Sequence, residues 1–232
     1  MRTSLIASLL LIMVSCAEIS IPTSFPTSIP TGSKPLTTAE ITEGLKEALK
    51  VGAKNSTGLA SQTDGFFKNS QIFIPFPPEA EKVKSTLIKA GFTKQVDEFT
   101  LTLNRAAEET TKKALPIFVD AITSMSISDA MGILKGEDNA ATEYLKRTTS
   151  SQLQMAFKPI ARDAINKVNL TSYWEPLATN YNRITLLTGG KAVNPNLEDY
   201  VTQKAIDGLF ILIAKEEKSI RENPAARVTD IL

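Results

Sequence analysis

Two groups of residues in this chain have the types and the spacing that chemistry needs. The first is Asn104-Arg105-Ala106-Ala107-Glu108-Glu109. On a helix Arg105 meets Glu108 and Glu109 at i+3 and i+4, so a guanidinium and carboxylates share one face. The second group surrounds an apolar run near the C-terminus. Asp207 precedes the run, Glu216, Glu217 and Arg221 follow it, and Glu217 and Arg221 stand at i+4. A carboxylate beside a buried stripe must find a partner or shift its pKa. Two carboxylates about 5–10 Å apart, with arginine beside them, could hydrolyse or eliminate across a glycan bond. Ordinary salt bridges account for the same spacings.

Composition narrows this chemistry. The 232 residues carry 26 Lys plus Arg against 25 Asp plus Glu, with no histidine and one cysteine. The commonest general base and metal ligand are therefore missing. One thiol supports neither an internal disulfide nor a thiolate zinc site. Asp, Glu and Arg are left as the actors, and neither a cofactor nor a metal is expected. Charges of both signs are interspersed, which gives no field for nucleic acid. Thr188-Gly189-Gly190-Lys191 lacks the flanking residues of a phosphate loop, since Thr185 and Ala192 stand where Gly and Ser or Thr belong.

The cysteine has another use. Met1–Ser4 carries one positive charge, and Leu5–Val14 is apolar apart from Ser8. That run is too short for a bilayer core, which takes ~20 residues, but suits a secretory signal. It closes on Met13-Val14-Ser15-Cys16, which resembles the bacterial lipobox. The resemblance implies a signal peptide over residues 1–15 and acylation of Cys16, which would bind the protein to a membrane. Ala17, by resemblance to enterobacterial sorting, implies the outer membrane. Removing residues 1–15 takes away Arg2 and no acid, leaving 25 basic residues against 25 acidic.

Residues 16–35 follow as a tether. Ile21-Pro22-Thr23-Ser24, Phe25-Pro26-Thr27-Ser28 and Ile29-Pro30-Thr31-Gly32 repeat proline at every fourth position, which favours extended chain. At ~3.1 Å per residue, the part over residues 19–35 could hold a domain up to roughly 50 Å from the membrane.

Residues 36–232 must then position the polar groups as one helical domain. Thr38-Ala39-Glu40-Ile41 opens a helix ending near Asn55 or Ser61. Helices are expected from Pro78 to Gly91 and over 94–124, the latter kinked or split by Pro116. Further helices are expected from a Ser128-Asp129 cap to Gly136, at 138–149, at 151–168 with an interruption at Pro159, at 172–187, and from Pro195 to about Asn223. Gly208–Ala214 is apolar on every side, which marks the last helix as the buried centre. The expected fold is all-α: an irregular bundle of about eight helices around a buried C-terminal central helix. Between the first two helices lie Phe66, Phe67, Phe73 and Phe76, four of ten phenylalanines. They read as a clamp plugging one end of the bundle, or as a lip for an apolar ligand or the bilayer surface.

Several stretches recur in an order similar to a bacterial family, domain of unknown function 4197. They are Asp64-Gly65-Phe66-Phe67-Lys68-Asn69, Asn104–Glu108, Phe118–Ile122, Ala140–Leu145, Tyr200–Ala205 with Asp207–Phe210, and Glu216-Glu217 through Arg221 to Pro224 and Arg227. The resemblance covers about residues 40–232. It implies a signal-bearing bacterial protein, commonly a lipoprotein, and no activity. The expectation is a lipid-anchored, periplasm-facing helical module that binds an apolar ligand or an envelope protein. A carboxylate and arginine enzyme and a purely structural scaffold stand as the alternatives.

Overall fold

Helix α1, Thr38–Ser61, starts on a capping box. The Thr37 hydroxyl accepts from the Glu40 N–H at 3.2 Å, and the Glu40 carboxylate accepts from the Thr37 N–H at 2.7 Å. The cap lies one residue before the expected start because Thr37 and Glu40 have the reciprocal spacing. The computed structural model describes residues 36–167 except 90, single positions between 174 and 192, and 196–222. The signal over 1–15, Cys16, the tether, Thr188–Lys191 and the chain after Glu222 lie outside the described residues. So does most of the helix expected at 172–187, of which Trp174, Thr179, Tyr181, Asn182, Arg183 and Leu186 are described as helical.

After α1 the chain runs as a non-helical strap through residue 77. A 3-10 turn at Pro78–Ala80 leads into α2, Glu81–Lys89. Gly91, at φ 91°, ends that helix, and the Phe92 N–H donates to the Leu87 carbonyl at 2.9 Å. Only a residue tolerant of positive φ closes a helix this way.

The long periodic stretch divides into α3, Thr93–Thr111, and α4, Ala114–Thr123. The break falls at Lys112 and Lys113, where a proline at 116 would clash with the carbonyl four residues earlier. Pro116 itself sits in the first turn of α4, where an N–H has no helical acceptor. Helix α5, Ile127–Leu134, is capped by Ser126 with Asp129 and not by the expected Ser128.

Two expected breaks, near residue 150 and at Pro159, are absent. The two helices read at 138–149 and 151–168 are a single helix α6, Ala140–Asn166. The polar run at its middle does not interrupt it because its hydroxyls bond back along the helix. Thr148 donates to the Tyr144 carbonyl, Thr149 to Leu145 and Ser150 to Lys146. Pro159 does not interrupt the helix either; it and Met155, whose carbonyl loses its helical donor, are both exposed.

Helix α7, Leu197–Glu222, packs against α1, α3 and α6 and buries Val201, Ala205, Leu209 and Ile213 at four-residue steps. Ile211 is the exception in the apolar run, being 45% exposed. The described residues thus form an all-α bundle of seven α-helices and one 3-10 turn, with α7 at the centre. No single described helix is long and apolar enough to cross a membrane.

Candidate functional site

The first polar group is spent on the strap. Glu108 is 4% exposed, and its Oε1 accepts the backbone N–H groups of Phe66 and Phe67 at 3.1 and 3.2 Å. Its Oε2 accepts from Arg105 Nη1 at 2.6 Å. Arg105 Nη2 reaches on to Asp64 at 2.5 Å, and Lys68 meets the other Asp64 oxygen at 2.8 Å. One turn back, fully buried Asn104 imitates a backbone unit. Its Oδ1 accepts from the Ile74 N–H and its Nδ2 donates to the Ile74 carbonyl, both at 2.8 Å. Glu109, the other partner expected for Arg105, pairs instead with Lys112.

The four phenylalanines do not form one lip. In extended chain successive side chains point to opposite sides, so Ile72, Ile74 and Phe76 are buried while Phe73 faces out. Phe66 is fully buried against Gly208 of α7, where an added Cβ would lie 2.7 Å from its ring. Phe76 packs on Phe99 and Trp174. Phe67 and Phe73 form an outer pair with ring centres 6.1 Å apart, and the Arg105 guanidinium lies over Phe67. Two rings therefore clamp the strap inward and two decorate its outer side.

The second group scatters. Asp207 is exposed and accepts from Gln203 at 2.8 Å, one turn back, so nearness to the buried stripe imposes no burial on it. Glu216 accepts from Asn55 of α1 at 2.6 Å. The buried carboxylate is Glu217, 6% exposed. It accepts the Ala141 N–H at 2.9 Å, the Thr142 N–H at 2.8 Å and the Thr142 hydroxyl at 2.7 Å, capping the first turn of α6 from another helix. Arg221 donates to Glu217 at 2.8 Å and to the Ile133 carbonyl, in the last turn of α5, at 3.2 Å. An anion at one helix start and a cation at another helix end both match the helix dipoles. Glu217 carries a signal that marks it: it continues the Val201, Ala205, Leu209, Ile213 register, so a charge stands in an apolar stripe.

Glu217 and Arg221 also line a cleft of about 330 Å³, walled by Leu45, Leu49, Ile133, Leu134 and Ile220, with Asp138 at its rim. A second groove, of about 430 Å³ between α6 and α7, is lined by polar side chains that bond one another, Lys158 to Asp199 at 2.7 Å and Gln154 to Gln203 at 3.3 Å. Neither space is lined by Glu108, Asp207 or Glu216.

The acid side of stability follows from four carboxylates, one of them Glu198, where burial works upward but hydrogen bonds from Arg162 and Asn196 hold the carboxyl below its ordinary range. Hydrogen bonds from Lys68 and then Arg105 hold Asp64 below its ordinary range. The Ser126 hydroxyl and N–H do the same for Asp129, and the Thr37 N–H and hydroxyl for Glu40. A depressed carboxylate contributes stability that is present above its unfolded pKa and lost as pH falls through the folded value. Unfolded values of 3.8 and 4.5 place that loss below about pH 4.5. With no histidine, thermal melts should be flat from about pH 6 to 8. They should fall only in acid, with a shallower slope in Asp64→Asn.

A family model described as a protein of unknown function (DUF4197) matches residues 35–232. No curated protein and no solved structure matches the chain.

Proposed function

The chain belongs to the DUF4197 family, and on that premise we propose that it acts as a lipid-anchored helical binding module facing the periplasm from the outer membrane. The observation that carries this reading is the use of its buried polar groups. Asn104, Glu108 and Glu217 accept backbone N–H groups of other segments, and Arg221 closes a helix end. Groups so engaged build a frame, and a frame with an open apolar cleft suits binding. Glu108, Asp207 and Glu216 each bond a different neighbour, which withdraws support from the carboxylate enzyme. Anchoring is supported by Met13–Cys16 and by the proline-spaced residues 19–35.

Expression in a bacterium fed labelled palmitate tests the anchor. Label should enter the chain and disappear in Cys16→Ser, which should leave the membrane fraction. An unlabelled, soluble wild-type chain would refute it. Native mass spectrometry of the chain extracted from envelopes tests the binding role. A co-purifying small molecule or envelope protein supports it, and a bare chain points to the scaffold.

A further inference from the structure

We propose that the cleft between α1, α5, α6 and α7 binds a small zwitterion with an apolar body: an apolar amino acid, free or in a short peptide. The proposal rests on the binding-module reading and names its ligand class. At about 330 Å³ the cleft has the volume of a small-molecule site. Its walls are aliphatic, so an apolar body gains by leaving water.

The polar capacity left over in the cleft fixes the ligand's charges. Glu217 offers none, because its two oxygens already accept from Ala141, Thr142 and Arg221. Arg221 donates through Nε and Nη2 only. Both N–H groups of its Nη1 have no acceptor among the described residues, on a side chain 25% exposed. Asp138 is exposed at the rim and has no partner among the described residues. What remains is one cationic donor edge and one carboxylate above an apolar floor. A carboxylate ligand alone would meet repulsion from Asp138, and an ammonium alone would leave Arg221 unanswered. A zwitterion answers both.

The test is calorimetric titration of the detergent-solubilised full chain with L-leucine, the dipeptide Leu-Leu, isocaproate (carboxylate alone) and isoamylamine (ammonium alone). Leucine or Leu-Leu should bind saturably, and each singly charged analogue at least about tenfold more weakly, a difference of about 1.4 kcal/mol. The tighter of the two zwitterions tells free amino acid from peptide. Arg221 holds two helices and its variants risk unfolding, so Asp138→Asn is the primary variant. It should weaken the zwitterion about tenfold, leave isocaproate no weaker, and keep the melting temperature. Leu134→Trp, which fills the cleft from its half-buried edge, should abolish binding. Equal binding of a singly charged analogue, no effect of Asp138→Asn, or no binding at all would overturn the proposal. If another molecule still co-purifies from envelopes in that case, the ligand class fails while the binding-module reading stands.

Discussion

Glu217→Ala should cost about 3 kcal/mol, because it leaves buried donors without an acceptor, at about 1–3 kcal/mol for each such group, and takes the partner from a half-buried arginine. Three donors at the start of α6 lose their acceptor, and Arg221 keeps only the Ile133 carbonyl. Against a typical total of about 5–15 kcal/mol this is a large fraction of the stability. At ~2–4 °C per kcal/mol for a domain of this size, the melting temperature should drop by roughly 10 °C. Glu217→Ala/Arg221→Ala should cost less than the sum of the two single changes, since neither charge is then left alone. A melting temperature within about 2 °C of the wild type would show that water replaces the carboxylate, and that the helix junction does not depend on it.

Gly65→Ala should be as damaging for a different reason. An added Cβ would sit 2.3 Å from the Leu59 carbonyl oxygen, 2.6 Å from that of Ala60 and 2.9 Å from that of Gln62. All three are backbone atoms at the end of α1, so no side chain can swing away. The preceding Asp64 already holds φ 67°, which leaves the turn little room to adjust. Overpacking commonly costs about 1–3 kcal/mol, and rigid surroundings put this case at about 3 kcal/mol or above. Release of the strap should also free Phe66 from Gly208, so protection of the Phe66 and Ile74 amides in hydrogen exchange should fall. Gly58→Ala is the matched control. It lies on the exposed side of α1 with nothing within 4 Å, and should gain about 0.5–1 kcal/mol.

These residues show how far the sequence carries. Helix positions were readable from apolar periodicity, and the central helix from its all-apolar run. The pairing of Arg105 with Glu108 followed from helical spacing alone. Glu108's other partners did not, because the N–H groups it accepts lie 42 and 41 residues earlier in the chain. Local spacing says nothing of contacts closed by tertiary folding. The break expected near residue 150 is absent because hydroxyl-rich runs favour turns only when their side chains compete with the helix. Here they reinforce it. Of the acids around α7, Asp207 and Glu216 stood out by nearness to the apolar run. Phase was the better guide: Glu217, one residue after Glu216, completes the buried register and caps a distant helix.

The position of α7 in the chain has a consequence for the order in which the molecule is made. The helix on which α1, α3 and α6 close is synthesised after all of them. Until it emerges, their apolar faces have no centre to pack on, and α6 has no carboxylate at its first turn. Contacts between the first and last helices span most of the chain, and such long closures slow folding. The nascent domain therefore stays open until its last helix leaves the ribosome. During that interval it is both easiest to thread through a narrow channel and most in need of a chaperone to keep it from aggregating.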